Sequence, residues 1–136
     1  MSIDELSPHL GTFDTILMLG NNFGLFATPT KARRLLRRFK TLTSSGATLI
    51  AESLNVYVTK DPDHLSYLAA NRERGRMSGQ IRIRARYKRF VTPWFDYLMV
   101  SPAEMETLVA GTGWRVAKVY EAAGVRFYTA VIERAN

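Results

Sequence analysis

The 136 residues carry 19 Lys and Arg against 12 Asp and Glu, a formal net charge of +7, and the pI is near 10.1, which brings nucleic acid into consideration as a partner. At 46% hydrophobic and 23% charged the composition is that of one ordinary globular domain with a real core. The absence of cysteine excludes disulfides, thiolate catalysis and Cys-based metal sites.

No apolar stretch approaches the roughly 20 residues of a membrane-spanning helix. The acidic start Met1-Ser2-Ile3-Asp4-Glu5-Leu6 lacks the basic-then-apolar order of a secretory signal, so a cytoplasmic location is expected. His9 and His64 stand far apart with no carboxylate pair at ligand spacing, which supports neither zinc nor a Ser-His-Asp triad.

In chain order, Pro8 and Gly11 break the first eleven residues. Phe13 to Leu19 is a short apolar run stopped by Gly20, Asn21 and Asn22, the pattern of a strand buried on both faces in a parallel sheet. The polar turn then falls at the strand's carboxyl end, where open α/β sheets place ligands. Thr30 is placed to cap a helix in which Ala32, Leu35, Leu36 and Phe39 make one apolar stripe and Lys31, Arg33, Arg34, Arg37, Arg38 and Lys40 the other face. Gly46 is expected to end that helix in a left-handed conformation. Ala47 to Ala51 reads as a second buried strand, closed by Glu52 and Ser53, which completes a βαβ unit. Asp61-Pro62 opens a helix by the cap-then-proline rule, with Leu65, Leu68 and Ala69 on its apolar side and an end near Gly75.

Ile81, Ile83 and Ala85 alternate with Arg82, Arg84 and Arg86, as in a half-buried strand. A second extended segment runs from Arg89 to Met99, interrupted by Pro93. Together they predict a two-stranded flap, an insertion over about residues 76–100, attached to the main sheet with one face basic. Ser101-Pro102-Ala103-Glu104 is a capping-box helix start; Met105, Leu108 and Val109 form the buried side, and Gly111 or Gly113 ends it. Trp114 to Tyr120 and Arg126 to Ile132 make an antiparallel hairpin around Ala123-Gly124. The fold class is α/β, a single domain over residues 1–136.

Three segments carry a resemblance. Phe13-Asp14-Thr15-Ile16 resembles the opening of the fourth strand of class I S-adenosylmethionine-dependent methyltransferases. Leu35-Leu36 through Ser45-Gly46-Ala47-Thr48-Leu49-Ile50 resembles that family's helix-to-fifth-strand motif, although its usual proline and second glycine are replaced. Leu108-Val109-Ala110-Gly111-Thr112-Gly113-Trp114 resembles the turn before its sixth strand. The resemblance covers nearly the whole chain as a carboxyl-terminal half. It implies a partial Rossmann-like sheet in which Phe127 to Glu133 is the antiparallel seventh strand, inserted between the fifth and sixth. It also places Ile3 and Asp4 against the adenine, and Gly20 at the cofactor.

The family's first strand and glycine-rich loop have no counterpart here. The chain is therefore expected to be a truncated methyltransferase that is inactive alone and binds no cofactor tightly, while the complete enzyme would use S-adenosylmethionine to methylate a small molecule. Asn21, Asn22 and Phe23 fall where the family positions its substrate; a simple turn that tolerates left-handed backbone is the other reading. Arg82, Arg84 and Arg86, with Tyr87, Trp94, Phe95 and Tyr97 nearby, fit a lid over an anionic or aromatic substrate, a platform for single-stranded nucleic acid, or a solvated strand face with a core-facing aromatic set. Asp96 and Glu52 are candidate bases that no spacing singles out; a catalytic residue is not assigned. Beside the methyltransferase reading stand two others: a basic nucleic-acid-binding module, and a non-catalytic interaction subunit. Ile16 to Leu19 carry no charge or proline to protect a sheet edge, so a homodimer through the Thr12–Leu19 strand is expected.

Overall fold

A computed structural model describes residues 1–136 as a four-stranded sheet backed on one side by helices, with a separate flap. The strands of the sheet are β1 (Phe13–Met18), β2 (Thr43–Leu54), β7 (Trp114–Glu121) and β8 (Phe127–Arg134), in the order β1-β2-β8-β7. β1 and β2 run parallel, with Ile16 opposite Leu49 and Leu17 opposite Ile50, and helix α1 (Pro29–Thr41) makes the crossover. β8 is antiparallel to both its neighbours, β2 and β7, the inserted last strand that the resemblance implied. Two short 3-10 turns, Ile3–Glu5 and Pro8–Leu10, precede β1.

Alternation sorts the sheet into a wet and a dry face. Ala47, Leu49, Ala51 and Ser53 of β2 and Tyr128, Ala130 and Ile132 of β8 are buried, as period-two side chains on one covered face should be. They meet the stripe Ala32, Leu35, Leu36 and Phe39 of α1, together with Met105, Leu108 and Val109 of helix α3 (Pro102–Val109). Burial of each Leu, Ile, Val, Met or Phe among them stabilises by about 1.5–3 kcal/mol, and of each alanine by less. Trp114 is 1% exposed and donates its indole N–H to Leu36 O at 2.8 Å, so the first residue of β7 locks onto α1. α3 begins with the expected capping box between Ser101 and Glu104.

Four expectations need correction. β1 is not buried on both faces: Leu17 is 60% exposed, because the strand lies at the edge and helices cover only one side of the sheet. The cap of α1 is Thr28, whose Oγ1 accepts from Lys31 N at 3.2 Å; Thr30 is already helical. Gly46 does not end α1, which stops at Thr41. It lies inside β2, where the register jumps from Thr43 opposite Phe13 to Thr48 opposite Thr15, so the extra residues bulge outward. In helix α2 (Pro62–Glu73) Leu68 is buried but Leu65 is 47% exposed, since residues 62–67 all lie at the surface and only the second half of the helix meets the core.

The flap is its own structure and does not extend the main sheet. β3 (Gln80–Ile83) pairs antiparallel with β6 (Phe95–Leu98), and β4 (Arg86–Tyr87) with β5 (Phe90–Val91) at the tip. Its root is tied to the sheet and to α2. Val100 N donates to Ser53 Oγ and Tyr128 Oη–H to Val100 O, at 3.1 and 2.8 Å. The buried Asn71 amide donates to Ser78 O and Gln80 O at 2.9 and 3.1 Å, which satisfies two carbonyls that burial would otherwise make costly.

Candidate functional site

The carboxyl ends of β1 and β2 converge on a turn whose backbone only certain residues tolerate. Gly20 and Asn21 both have positive φ, 66° and 65°, and glycine and asparagine are the residues that accept this region at least cost. Glu52, at the end of β2, holds the turn by accepting from Gly20 N at 2.5 Å and from the Thr129 hydroxyl at 3.3 Å. Both carboxylate oxygens are thus engaged in structure, which leaves Glu52 a turn-holder and not a free base.

The chain then enters a 3-10 turn, Asn22–Phe26, from which Phe23 and Phe26 descend into the core at 0% exposure, edge to face at 4.9 Å. Phe23 is therefore a core residue, and its assignment to the substrate is corrected: the 3-10 geometry rotates its ring inward. The turn closes at Ala27, with φ 63° and ψ −54°, bridged by Thr28 N donating to Phe26 O at 2.6 Å. This is a γ-turn of the rare, strained kind, and such strain collects where structure over-determines the backbone.

The flap closes over this loop. Tyr97 of β6 donates its hydroxyl to Asn21 O at 2.7 Å, and burial pushes its phenol pKa up. Gly24 is the seat of the ring, since a Cβ there would lie 1.9 Å from Tyr97 Cε1. Asn21 Oδ1 is buried in the same place without a donor. Asp96, the other candidate base, is held by Arg76 at 3.3 Å and by the Gln80 amide at 3.3 Å.

Two cavities open on either side of the flap root. One, of about 400 Å³, lies between Ile3, Leu25, Ala27, Lys31, Phe95 and Tyr97. The other, of about 420 Å³, lies between the end of β2, α2 and β3. Of the candidate site residues read from the sequence, Ile3 and Asp96 line the first and Arg82 the second. Asp4 sits on α1, its carboxylate bonded to Lys31 at 2.7 Å and Arg34 at 3.1 Å; the Lys31 hydrogen bond, ahead of the neighbouring charges, holds its pKa below the usual value.

Arg82, Arg84 and Arg86 do not share one strand face, because β3 stops at Ile83 and the chain breaks its pairing before β4. Arg84 stacks over Trp94 at 4.7 Å, and Tyr87 and Trp94 are 70% and 54% exposed at the tip. Sequence reading placed Tyr97 only among the aromatics of a lid, without its contact to the turn, and missed His64 and Tyr67 as site residues. The last two become neighbours of β3 only through the fold.

Solved structures decide the architecture. An S-adenosylmethionine-dependent methyltransferase from Bacteroides fragilis, solved with S-adenosyl-L-homocysteine, superposes with a TM-score of 0.72 at 24% identity over 92% of this chain. The chain has a class I S-adenosylmethionine-dependent methyltransferase-like fold. An S-adenosylmethionine-dependent methyltransferase from Methanosarcina mazei (TM-score 0.68, 12% identity, 98% of this chain) and the CcbJ methyltransferase from Streptomyces caelestis (0.64, 11%, 100%) share the methyltransferase-like fold. The chain spans 49%, 65% and 62% of the lengths of these three proteins, respectively. No family model matches the chain, and no curated protein does. No helix is long and apolar enough to cross a membrane.

The residues present fit only one edge of the cofactor that methyltransferase-like folds hold. Ile3 in the cavity wall suits a flat apolar ring, and Gly20 has open space where a Cβ would stand. The Asp4 carboxylate, however, is spent on Lys31 and Arg34. This chain's groups do not build a cradle for a ribose diol or an amino-acid head.

Proposed function

We propose that the chain is the acceptor-side portion of an S-adenosylmethionine-dependent methyltransferase that acts on a small molecule. The observation that carries the reading is the β1-β2-β8-β7 order with β8 antiparallel inside it, in common with neighbours named as such methyltransferases. Methyl transfer is a displacement in which orientation and exclusion of water supply most of the acceleration. Asn21 and Asn22, at the carboxyl end of β1, and the flap seated on them by Tyr97 would hold the acceptor. The 136-residue polypeptide alone is proposed not to bind the cofactor tightly. Titration calorimetry with S-adenosylhomocysteine should therefore show no dissociation constant near 10 µM, about 7 kcal/mol, or tighter. A polypeptide extended into the upstream reading frame should carry a glycine-rich loop, bind the same ligand and transfer labelled methyl. An upstream frame without that loop, or an extended protein that binds nothing, overturns the reading.

We also propose a homodimer through the Thr12–Leu19 strand. β1 pairs with β2 alone, so its other edge offers unpaired N–H and C=O groups, and Leu17 and Leu19 are 60% and 46% exposed beside it. A two-fold axis lets such an edge pair with itself. Sedimentation should give a dimer at micromolar concentration that Leu17→Lys dissociates; a monodisperse wild-type monomer refutes it.

One observation favours a second reading, binding of single-stranded nucleic acid by the flap tip. Lys88 lies 5.4 Å from the Tyr87 ring and Arg89 5.5 Å from Phe90, exposed cations beside exposed rings. Oligonucleotide affinity that falls steeply with salt would support it, and affinity flat in salt would remove it.

A further inference from the structure

The cavity of about 420 Å³ between α2, β3 and the end of β2 falls in the size range of small-molecule sites. Its floor is apolar: Val56 and Leu68 are 7% and 5% exposed, and Ile81, Ile83 and Met99 complete it. No acidic residue lines it. Of its polar side chains, Thr59 and His64 bond each other at 3.2 Å, and the two arginines and Tyr67 keep donors for a ligand. Arg82 and Arg126 take part in no ion pair. Asp96, directly opposite Arg82 across the β3–β6 ladder, is occupied by Arg76. The Tyr67 hydroxyl oxygen accepts from Arg82 N at 3.0 Å, which leaves its proton for another acceptor. Asp61, the acid that begins α2, is spent on the backbone N–H groups of Asp63 and His64.

A dry floor under a mouth rich in donors and free of acids is complementary to one kind of molecule. We propose that this cavity binds a small molecule with an apolar, aromatic-sized body and a single anionic head, carboxylate or phosphate. The body lies on Leu68, Ile81 and Ile83, and the head meets Arg126, the Tyr67 hydroxyl and Arg82, whose side chain starts on the opposite face of β3 and would reach round the strand edge that β6 does not cover; guanidinium groups favour planar oxyanions. The inference stands on the cavity itself and does not need the methyl-transfer reading.

The test is titration of the 136-residue protein, without cofactor, with 2-naphthoate, 2-naphthyl phosphate and the uncharged 2-naphthamide, followed by calorimetry and by amide chemical shifts. At least one anion should bind at least about fivefold more tightly than the amide, with shifts at Tyr67, Leu68 and Ile81. Arg82→Met with Arg126→Met should remove about tenfold of that affinity. Both side chains are exposed, so unchanged circular dichroism is expected to accompany the loss. Ile81→Trp, which fills the floor, should weaken all three ligands. Equal affinity for anions and amide, shifts confined to the Ile3 and Tyr97 cavity, or an unaffected double variant would each overturn the proposal. If the anions bind and the extended enzyme transfers no methyl, the site stands and the proposed reaction falls.

Discussion

Gly24→Ala tests whether the flap is seated on the turn after β1 as described. The new Cβ would stand 1.9 Å from Tyr97 Cε1 and 2.2 Å from Cδ1, far inside contact distance, while the φ of Gly24 is one that alanine adopts. The cost is therefore collision, not backbone strain. Tyr97 cannot swing away freely, because its hydroxyl is tied to Asn21 O at 2.7 Å and its strand to β3. Overpacking costs about 1–3 kcal/mol, and the lost hydrogen bond adds about 0.5–1.5 kcal/mol, so a total of about 2–4 kcal/mol is expected. For a chain of this size the melting midpoint should fall by about 6–15 °C. Urea denaturation of both single variants and of Gly24→Ala in a Tyr97→Ala background closes a double-mutant cycle. In that background the alanine should cost less than about 0.5 kcal/mol, the range of an unconstrained surface change. A full cost in both backgrounds would show that Gly24 is constrained by something other than the ring, and refute the seat.

Two smaller outcomes follow from the same loop and its neighbours. Ala27→Gly should stabilise the protein by about 0.5–1 kcal/mol, read from the denaturation midpoint, because glycine relieves a strained positive φ at some entropic cost; destabilisation would show that the γ-turn is unstrained. Asp4 has a depressed carboxyl pKa, chiefly from the Lys31 hydrogen bond, so its contribution is present above the ordinary value of 3.8 and lost as pH falls through the folded value. The stability gap between wild type and Asp4→Asn should hold at neutral pH and close below about pH 4; a gap that ignores pH would put the effect elsewhere.

Local signals read well where local physics decides. Ser101 with Glu104, Asp61 before Pro62, and the stripe on α1 each specify an element through contacts within four residues, and all three elements form. Thr30 and Gly46 misled because other residues held the same roles: Thr28 is the better-placed cap before Pro29, and Leu42 ends α1 by itself. Burial of β1 was not legible, since an apolar run says nothing about how many faces are covered. The flap's independence was hidden for a similar reason. Alternation of Ile and Arg continues through Ala85, but pairing with β6 lasts only as far as Phe95 permits before Pro93. The donor-rich cavity joins residues of α2, β3 and the β7–β8 hairpin, segments that no periodicity connects.

The distribution of charge separates the readings better than its sum does. The basic face of α1 accounts for much of the +7, yet several of its cations are already committed. Lys31 and Arg34 bind Asp4, Arg38 donates to Asp4 O at 2.7 Å, and Arg33 donates to Thr107 O and Ala110 O at 3.1 and 2.9 Å. Those groups fasten the first residues and α3 onto α1, so they are structural ties and a poor track for a phosphate backbone. Of the cations in no ion pair, Arg82, Arg84, Arg86, Lys88 and Arg89 gather on the flap and Arg126 lies at the donor-rich cavity, while Arg37, Lys40, Lys60, Arg74 and Lys118 are scattered over the rest of the surface. An anionic partner of this protein would therefore be met by the flap, and its size decides the rest. A nucleic-acid strand has only the exposed tip to lie on, whereas a small anion has a walled site with an apolar floor, where water exclusion strengthens each charge-assisted contact.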